Sequence, residues 1–382
     1  MALGLVARIR GERETIGIDV GHYSIKYVKV FHNSRGGRVV VEIDTEPVPD
    51  GAIINGEIQR REGDEASLDA DGKKEKDGYE LLSEAVSKLM LRHAHDSTTD
   101  LVACVNCGAG AGGVLADKLS VKVPKNGNEA TIILQTAQSR PPFDDQDNVI
   151  DYEVVAREGD EVKATIVAAK NALLDSWAQF FTIKGLKLSA LDVDIFGLVN
   201  AFMATASEEE QNQTTAIVNI GEKKMSIAFV QGGKFHSMRA MTGGALDMVE
   251  SKLMTHLGID AAKCHEIFEK ADPGIVDGYA EAEVEAVLEL AFEDIMAQID
   301  FGLRYFASSE DSEPLKKIVL GGGGASIPGL KNFIAEKTGV ETDTVNPFRN
   351  VECAPEVVGE SGVSLALSNI LAPALGLAMR KF

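Results

Sequence analysis

Two stretches of the chain, two hundred residues apart, have the same order of apolar and polar positions. Residues 15–30 (TIGIDVGHYSIKYVKV) and 215–230 (TAIVNIGEKKMSIAFV) each have an apolar run, a polar turn that contains glycine, and a second run rich in β-branched residues. Two such runs joined by a short glycine turn are typical of a β-hairpin. The pattern therefore predicts a hairpin at each place.

The two predicted hairpins align without a gap. Asp19 falls on Asn219 and Gly21 falls on Gly221, and each hairpin is followed by a second turn and another β-rich segment. The separation is too long for a solenoid, whose repeats run about 20–50 residues. The alignment therefore predicts a duplicated domain, with chance similarity of two hairpins as the alternative.

Two further glycine turns stand in the second half of the chain. One follows a β-rich segment that ends at Leu320 and precedes a predicted helix over about 328–337; its glycines are Gly321, Gly322, Gly323 and Gly324. The other, Gly243 and Gly244, precedes a predicted helix over about 245–257. Four consecutive glycines cost backbone entropy, which indicates that some group comes close to this backbone. A tight strand-to-helix connection is the alternative.

Glycine turns of this kind can present backbone N–H groups to a phosphate chain, here from two facing domains. Asp19, at the end of the first predicted strand, is placed to hold Mg²⁺ through water, and Ser24 and Lys26 are placed to reach phosphates. A turn-stabilising role is the alternative for Asp19 and Ser24. The glycine run does not fit a Rossmann fingerprint, because Ser326 stands where the third glycine belongs, and no P-loop motif occurs.

Length and charge narrow the classes of protein. A chain of 382 residues exceeds the roughly 250–300 residues at which single cores stop growing, so we expect at least two domains. The 38 Lys and Arg against 59 Asp and Glu give a net charge of −21, which repels phosphate backbones and makes nucleic acid an unsuitable partner. The most apolar stretch, 365–379, is interrupted by polar residues, glycine and proline, so we expect no direct membrane insertion.

The cysteines and the first residues indicate a reducing compartment. Four scattered cysteines do not make a disulfide framework, and the first ten residues lack the apolar run of a signal peptide, so we expect a cytoplasmic protein. Cys104 and Cys107 have the spacing of a redox or zinc pair without a second pair, and we expect buried thiols instead. Residues 60–77 are dense in charge and are predicted to be a mobile insertion.

The order of these motifs resembles the ATPase superfamily of actin, Hsp70 and the sugar kinases. In that superfamily the hairpin turns are two phosphate loops and the later glycine turn is an adenosine loop. Shorter motifs are similar to those of the PilM family, the bacterial actin-like proteins of type IV pilus assembly. They are residues 49–58 (PDGAIINGEI), 140–143 (RPPF) with the strand at 148–155, 326–330 (SIPGL) and 346–348 (NPF). The likeness runs from about residue 14 to the C-terminus, with gaps.

The resemblance implies an α/β protein with a duplicated, actin-like (ribonuclease H-like) two-lobe fold and an inserted small α+β subdomain. The implied domains are a first lobe of 1–100 with 190–210 and 361–382, an inserted subdomain of 101–189 of the kind found in PilM and the division protein FtsA, and a second lobe of 211–360 with a helical subdomain at 245–316.

The resemblance also implies ATP and Mg²⁺ as ligands. The implied nucleotide-binding residues are Asp19, which would also hold the metal, Gly21, Ser24, Lys26, Asn219, Gly221, Gly243, Gly244, Gly321, Gly322, Gly323 and Gly324. The family's second phosphate loop usually begins with Asp, and the amide of Asn219 lacks the charge that would hold Mg²⁺ or orient water. We therefore expect ATP binding with slow or absent hydrolysis. Glu222 could supply a carboxylate instead, with a solvated turn residue as the alternative.

The implied function is a nucleotide-regulated scaffold at the cytoplasmic face of the bacterial inner membrane. Its expected partners are the N-terminal cytoplasmic peptide of a PilN-like membrane protein and other components of the pilus machine, with homo-oligomerisation left open. One alternative is an FtsA-like division filament, but residues 365–382 show no basic, amphipathic membrane-binding face. The other is a small-molecule kinase of the same superfamily, for which the chain shows no sugar-site constellation.

Overall fold

A computed structural model of the protein describes residues 12–60, 76–93, 99–110, 113–183, 187–359 and 362–380. Most of the predicted insertion at 60–77 lies outside the described residues. The strands are β1 Arg13–Val20, β2 Ser24–His32, β3 Arg38–Pro47, β4 Ile53–Ile54, β5 Glu57–Ile58, β6 Asp100–Val105, β7 Leu115–Lys122, β8 Asn148–Glu158, β9 Glu161–Lys170, β10 Leu188–Val193, β11 Thr215–Ile220, β12 Met225–Gln231, β13 Lys234–Met241, β14 Lys317–Gly321, β15 Glu341–Thr344 and β16 Glu352–Cys353. The helices are α1 Gly78–Leu91, α2 Glu129–Gln138, α3 Asn171–Ile183, α4 Asp194–Thr205, α5 Glu208–Asn212, α6 Leu246–Leu257, α7 Ala261–Lys270, α8 Glu281–Ala307, α9 Leu330–Thr338, α10 Pro355–Val358 and α11 Leu365–Ala378.

Two sheets repeat one topology. Their strand orders are β10-β6-β1-β2-β3-β16 and β13-β12-β11-β14-β15. In each, an antiparallel three-stranded meander continues into parallel strands on the side of its first strand. The pairing register is also the same, since Thr15 lies opposite Val30 and Thr215 lies opposite Val230. Both meanders even have a bulge after the same position, Lys29 in one and Phe229 in the other. The predicted duplicated fold is confirmed.

The chain forms two compact units. The first comprises the described residues within 1–105, 175–205 and 346–382, and the second comprises those within 106–174 and 206–345. β6 pairs with β1 and β10 in the six-stranded sheet, so the structure moves residues 101–105 out of the predicted inserted subdomain. The described residues within 175–189, predicted for that subdomain as well, also belong to the first unit. Likewise β16 pairs with β3, which places residues 346–359 with the first unit and not with the predicted second lobe. Both are short pairings between residues distant in sequence, which the local pattern does not specify.

The core of the first unit is built around α11. This helix is buried over most of its length and packs on β1, β2 and α4, which is why the most apolar stretch of the chain stands here. Glycines allow backbones to touch. A Cβ on Gly376 would lie 1.7 Å from the carbonyl oxygen of Gly197 in α4, and a Cβ on Gly17 in β1 would lie 1.9 Å from the carbonyl oxygen of Ala374.

The second unit has two cores. The larger lies between the five-stranded sheet and the helices α6 to α9, with one face of α8 fully buried through Val284, Leu288, Ile295 and Ile299. The predicted helices at 245–257 and 328–337 are confirmed as α6 and α9. The smaller core lies between α2 and the three-stranded sheet β7-β9-β8, around Ile133 and Ile166. Among the described residues, none of the helices combines the length and apolarity needed to cross a membrane.

The close packing of α11 generates a stability prediction. Alanine normally stabilises a helix over glycine by about 0.5–1 kcal/mol, but at Gly376 it would drive a methyl group into the Gly197 carbonyl. We expect Gly376→Ala to destabilise the protein by about 1–3 kcal/mol or more, as overpacking does, measured by denaturant unfolding. Leu365→Met, at the exposed start of the same helix, is the control and should change stability by less than about 0.5 kcal/mol. A stabilised Gly376→Ala variant would contradict this packing.

Candidate functional site

The turn between β1 and β2 holds the first set of predicted site residues. The Gly21 N–H donates to the Ser24 carbonyl at 3.1 Å, which closes the turn. Asp19 lies opposite Lys26 in the strand pairing, and Lys26 Nζ lies 3.1 Å from Asp19 Oδ2. Both side chains are mostly buried. The structure therefore brings the predicted metal ligand Asp19 and the predicted phosphate ligand Lys26 together as an ion pair.

Gly21, the glycine of this turn, leaves room for the ion pair. A Cβ on Gly21 would lie 2.4 Å from Lys26 Nζ, so a larger residue would force the ammonium group to move. Cys104 Sγ donates to the other carboxylate oxygen of Asp19 at 3.5 Å, and burial raises the pKa of the Cys104 thiol. Cys104 and Cys107 are both buried thiols, as the sequence predicts. Asp19 is thus held in place by one cation and one neutral donor.

The turn between β11 and β12 repeats the geometry without the ion pair between the two strands. The Gly221 N–H donates to the Lys224 carbonyl at 2.9 Å, as in the first turn. Asn219 lies opposite Ser226, where the first hairpin has Asp19 opposite Lys26. Asn219 is only 8% exposed, and a carboxylate buried there without a cation would be strongly unfavourable. At the positions equivalent to Asp19 and Lys26, the second hairpin therefore has the neutral residues Asn219 and Ser226.

The run of four glycines crosses the carboxyl end of β11. Gly321 pairs with Asn219 in the parallel ladder. A Cβ on Gly322 would lie 2.6 Å from Asn219 Oδ1, and one on Gly324 would lie 2.2 Å from Ile220 Cγ2. These two glycines are explained by the tight strand-to-helix connection. Gly323 is different, because its Cβ would meet only the end of the Leu246 side chain, at 3.1 Å, so the connection alone does not require glycine there.

Gly243 and Gly244 lead into α6, and backbone hydrogen bonds fix this helix to the second hairpin turn. The Leu246 N–H donates to the Gly221 carbonyl and the Asp247 N–H donates to the Glu222 carbonyl, both at 3.0 Å. Two N–H groups in the first turn of α6 are therefore already hydrogen-bonded to the protein. Fewer N–H groups at this helix start are available to bind an anion than the sequence suggests. All the predicted site residues of the second unit nevertheless converge at the end of β11.

Glu222 is not the solvated turn residue that the sequence left as an alternative. It is half-buried, and burial raises the pKa of its carboxyl, with a further increase from the charge of Glu250 and an opposing effect of His265. The ligand atoms of Glu222, Glu250 and His265 lie within 4.8 Å of one another. Glu250 in α6 and His265 in α7 carry no sequence motif, and sequence reasoning missed both because only the packing of these helices brings them together.

The glycine turns and Asn219 in the second unit suit a phosphate chain better than a tightly held Mg²⁺ ion. Glycine turns allow a ligand close to backbone N–H groups, and at Gly323 a Cβ would meet only Leu246 Cδ1, at 3.1 Å. At the ladder position of Gly321, however, the side chain is the amide of Asn219, and Mg²⁺ prefers at least one carboxylate. Among the predicted site residues, Asp19 is the carboxylate that could hold Mg²⁺.

Comparisons with known proteins agree with this architecture. The family model described as type IV pilus assembly protein PilM matches residues 17–382. A solved structure of a PilM–PilN type IV pilus biogenesis complex is similar with a TM-score of 0.73 and 19% identity, over 96% of this chain and 97% of that chain. The ethanolamine utilization protein EutJ from Carboxydothermus hydrogenoformans is similar with a TM-score of 0.51 and 13% identity, over 96% and 89% of the two chains.

Proposed function

The chain belongs to the PilM family of type IV pilus assembly proteins, and on that premise we propose that it is a nucleotide-binding, actin-like scaffold which docks the cytoplasmic tail of a PilN-like inner-membrane protein. The observation that carries the proposal is the family match over residues 17–382. The duplicated sheet topology supports it, since both hairpins present a glycine turn at the same register.

The partner proposal rests on the similar PilM–PilN complex and on charge. A PilM chain of this fold has been solved with PilN, so the ligand we propose is the N-terminal cytoplasmic peptide of a PilN-like protein. The net charge of −21 opposes adsorption to anionic lipid. Recruitment to the cytoplasmic face of the inner membrane would then depend on a protein partner, and other components of the pilus machine could join the same assembly.

Vesicle flotation tests the recruitment mechanism. We expect the purified protein to stay at the bottom of the gradient with bare anionic vesicles, because like charges repel. It should float with vesicles that display the N-terminal peptide of the PilN-like protein from the same organism. A scrambled peptide of the same composition is the matched control. Flotation with bare vesicles would contradict recruitment through a protein partner and favour an FtsA-like protein that binds lipid itself. Equal flotation with the native and the scrambled peptide would contradict specific docking.

We further propose that the nucleotide is ATP with Mg²⁺. One support is Gly323, because the strand-to-helix connection does not by itself require glycine at that position. The other is Asp19, a carboxylate held at the end of β1. In this proposal the glycine turns of the second unit offer backbone N–H groups to phosphate by close approach. Within the first unit, Asp19 is the proposed ligand of Mg²⁺, and Ser24 and Lys26 are the proposed ligands of phosphate. Binding of Mg²⁺ and phosphate would replace the Asp19–Lys26 contact with two new ionic contacts.

Calorimetry with graded variants tests the nucleotide proposal. Gly323→Val should lower the affinity for Mg²⁺–ATP by at least about tenfold, or roughly 1.4 kcal/mol, because its side chain would keep the ligand away from the backbone of the glycine run. Gly323→Ala should have a smaller effect. Gly108→Ala in the same unit is the control, since its Cβ would make ordinary contacts of 3.4 Å and longer. Unchanged affinity in a folded Gly323→Val protein would remove this loop from the site.

The neutral pair Asn219–Ser226 supports slow or absent hydrolysis. Phosphoryl transfer to water depends on positioned charge and metal, and the second loop provides neither at the place where the first has Asp19. We expect Asn219→Asp to raise phosphate release, and a tenfold increase needs about 1.4 kcal/mol of transition-state stabilisation. Asp19→Asn should instead weaken Mg²⁺-dependent binding of ATP.

The same experiment needs a control for stability, because Asn219→Asp buries a carboxylate without a cation. The double variant Asn219→Asp with Ser226→Lys restores the pairing that the first hairpin has and should recover the stability that the single variant loses. Steady-state phosphate release by the unmodified protein decides the main point. Turnover of about 1 s⁻¹ or faster, in the ordinary range of enzymes, would show that the amide of Asn219 does not slow ATP hydrolysis.

A further inference from the structure

The second unit contains a group of three metal-ligating side chains outside the predicted nucleotide-binding residues. Glu222 comes from the turn between β11 and β12, Glu250 from α6 and His265 from α7. Their ligand atoms all lie within 4.8 Å of one another, and His265 Nε2 lies 3.9 Å from Glu250 Oε1. Two ligands of one tetrahedral ion, with bonds of about 2.1 Å, lie about 3.4 Å apart. Small rotations of these side chains are therefore enough to bring them onto one ion.

The three segments that carry these side chains are fixed to one another. The Asp247 N–H donates to the Glu222 carbonyl at 3.0 Å, which holds the turn on the first residues of α6. Cys264, next to His265, is buried, and its thiol lies 3.9 Å from the Glu250 carbonyl. Phe268, one turn further along α7, is also buried in the core. Such a frame keeps the backbone in place whether or not an ion is bound, as a binding site needs.

The charges around the group favour a dication. Two half-buried carboxylates face one imidazole. The charges of Lys223 and Asp247 also act on Glu222, in opposite directions, and these two side chains pair with each other, with Lys223 Nζ 3.5 Å from Asp247 Oδ2. A protonated His265 could balance one negative charge, but the second carboxylate would remain. A divalent ion balances both and accepts the neutral imidazole as its third ligand.

We propose that Glu222, Glu250 and His265 bind a divalent transition-metal ion such as Zn²⁺ or Mn²⁺. An imidazole with carboxylates suits these ions, whereas Mg²⁺ and Ca²⁺ prefer an all-oxygen set and Cu⁺ prefers sulfur. Three protein ligands leave room for water or another ligand on the ion. Because Glu222 lies in the turn that carries Gly221, the bound ion would fix this turn to α6 and α7.

Chelator-competition titration of the full chain with Zn²⁺, without nucleotide and with a non-thiol reductant, tests the proposal. We expect one Zn²⁺ per chain. His265→Ala and Glu222→Gln should each lower the affinity by more than about tenfold, since loss of a mere hydrogen-bond partner of a ligand already costs 10–100-fold. His256→Ala is the matched control, because His256 is an exposed histidine on α6. It should bind Zn²⁺ as the unmodified protein does.

Two further measurements distinguish this metal site from a loss of folding in the variants and from zinc held by cysteine. Melting curves should show that Glu222→Gln, which keeps the side-chain shape, is folded and that Zn²⁺ raises the midpoint of the unmodified protein more than that of the variant. Co²⁺ should bind without the intense sulfur-to-metal absorption that a cysteine ligand produces. Absence of Zn²⁺ binding, equal affinity in the His265→Ala and His256→Ala proteins, or a cobalt–thiolate spectrum would each overturn the proposal. None of these results depends on ATP binding.

Discussion

Two backbone hydrogen bonds, from the N–H groups of Leu246 and Asp247 to the carbonyls of Gly221 and Glu222, hold the start of α6 against the turn that ends β11. The glycine run 321–324 crosses the same strand end, because Gly321 is the ladder partner of Asn219. Through these contacts one small region fixes the second hairpin turn, the glycine run and the helix that carries Glu250. Any ligand that moves the turn must also act on α6, which passes the change to the helical part of the unit.

The duplication lets each hairpin serve as a reference for the other. Register, turn closure and even the bulge position agree, so the differences that remain are chemical. Asp19 opposite Lys26 is an ion pair, and Asn219 opposite Ser226 is its neutral counterpart. Both positions are nearly inaccessible to water, where a single unpaired charge is unfavourable and only a matched pair or a neutral pair is tolerated. A carboxylate at position 219 would therefore need a cation opposite it at position 226, as Asp19 has in Lys26.

The sequence was sufficient for the features that are local. The hairpins, the glycine turns and the helices α6 and α9 follow from patterns within about fifteen residues, and the ungapped repeat makes the two-lobe fold predictable. The position of β6 was not predictable, because its fully buried apolar strand fits a central position in either sheet. Glu250 and His265 were missed because they meet only through the packing of α6 on α7. Gly376 interrupts an apolar stretch, but only the structure shows that the Gly197 backbone lies against it.

On the proposed function, the neutral pair Asn219–Ser226 has a physical consequence for a scaffold. Backbone N–H groups and glycine turns can bind phosphates without a second carboxylate, whereas hydrolysis needs charge placed where water attacks. A bound nucleotide stabilises the folded state by about 2.7 kcal/mol at a hundred times its dissociation constant, and this stabilisation lasts only while the nucleotide is intact. An amide in place of a carboxylate at position 219 would thus preserve binding while slowing the reaction that ends it. On this proposal the nucleotide would act as a long-lived ligand that holds the glycine loops in one arrangement. A docking platform needs such a lasting arrangement, and rapid hydrolysis would end it.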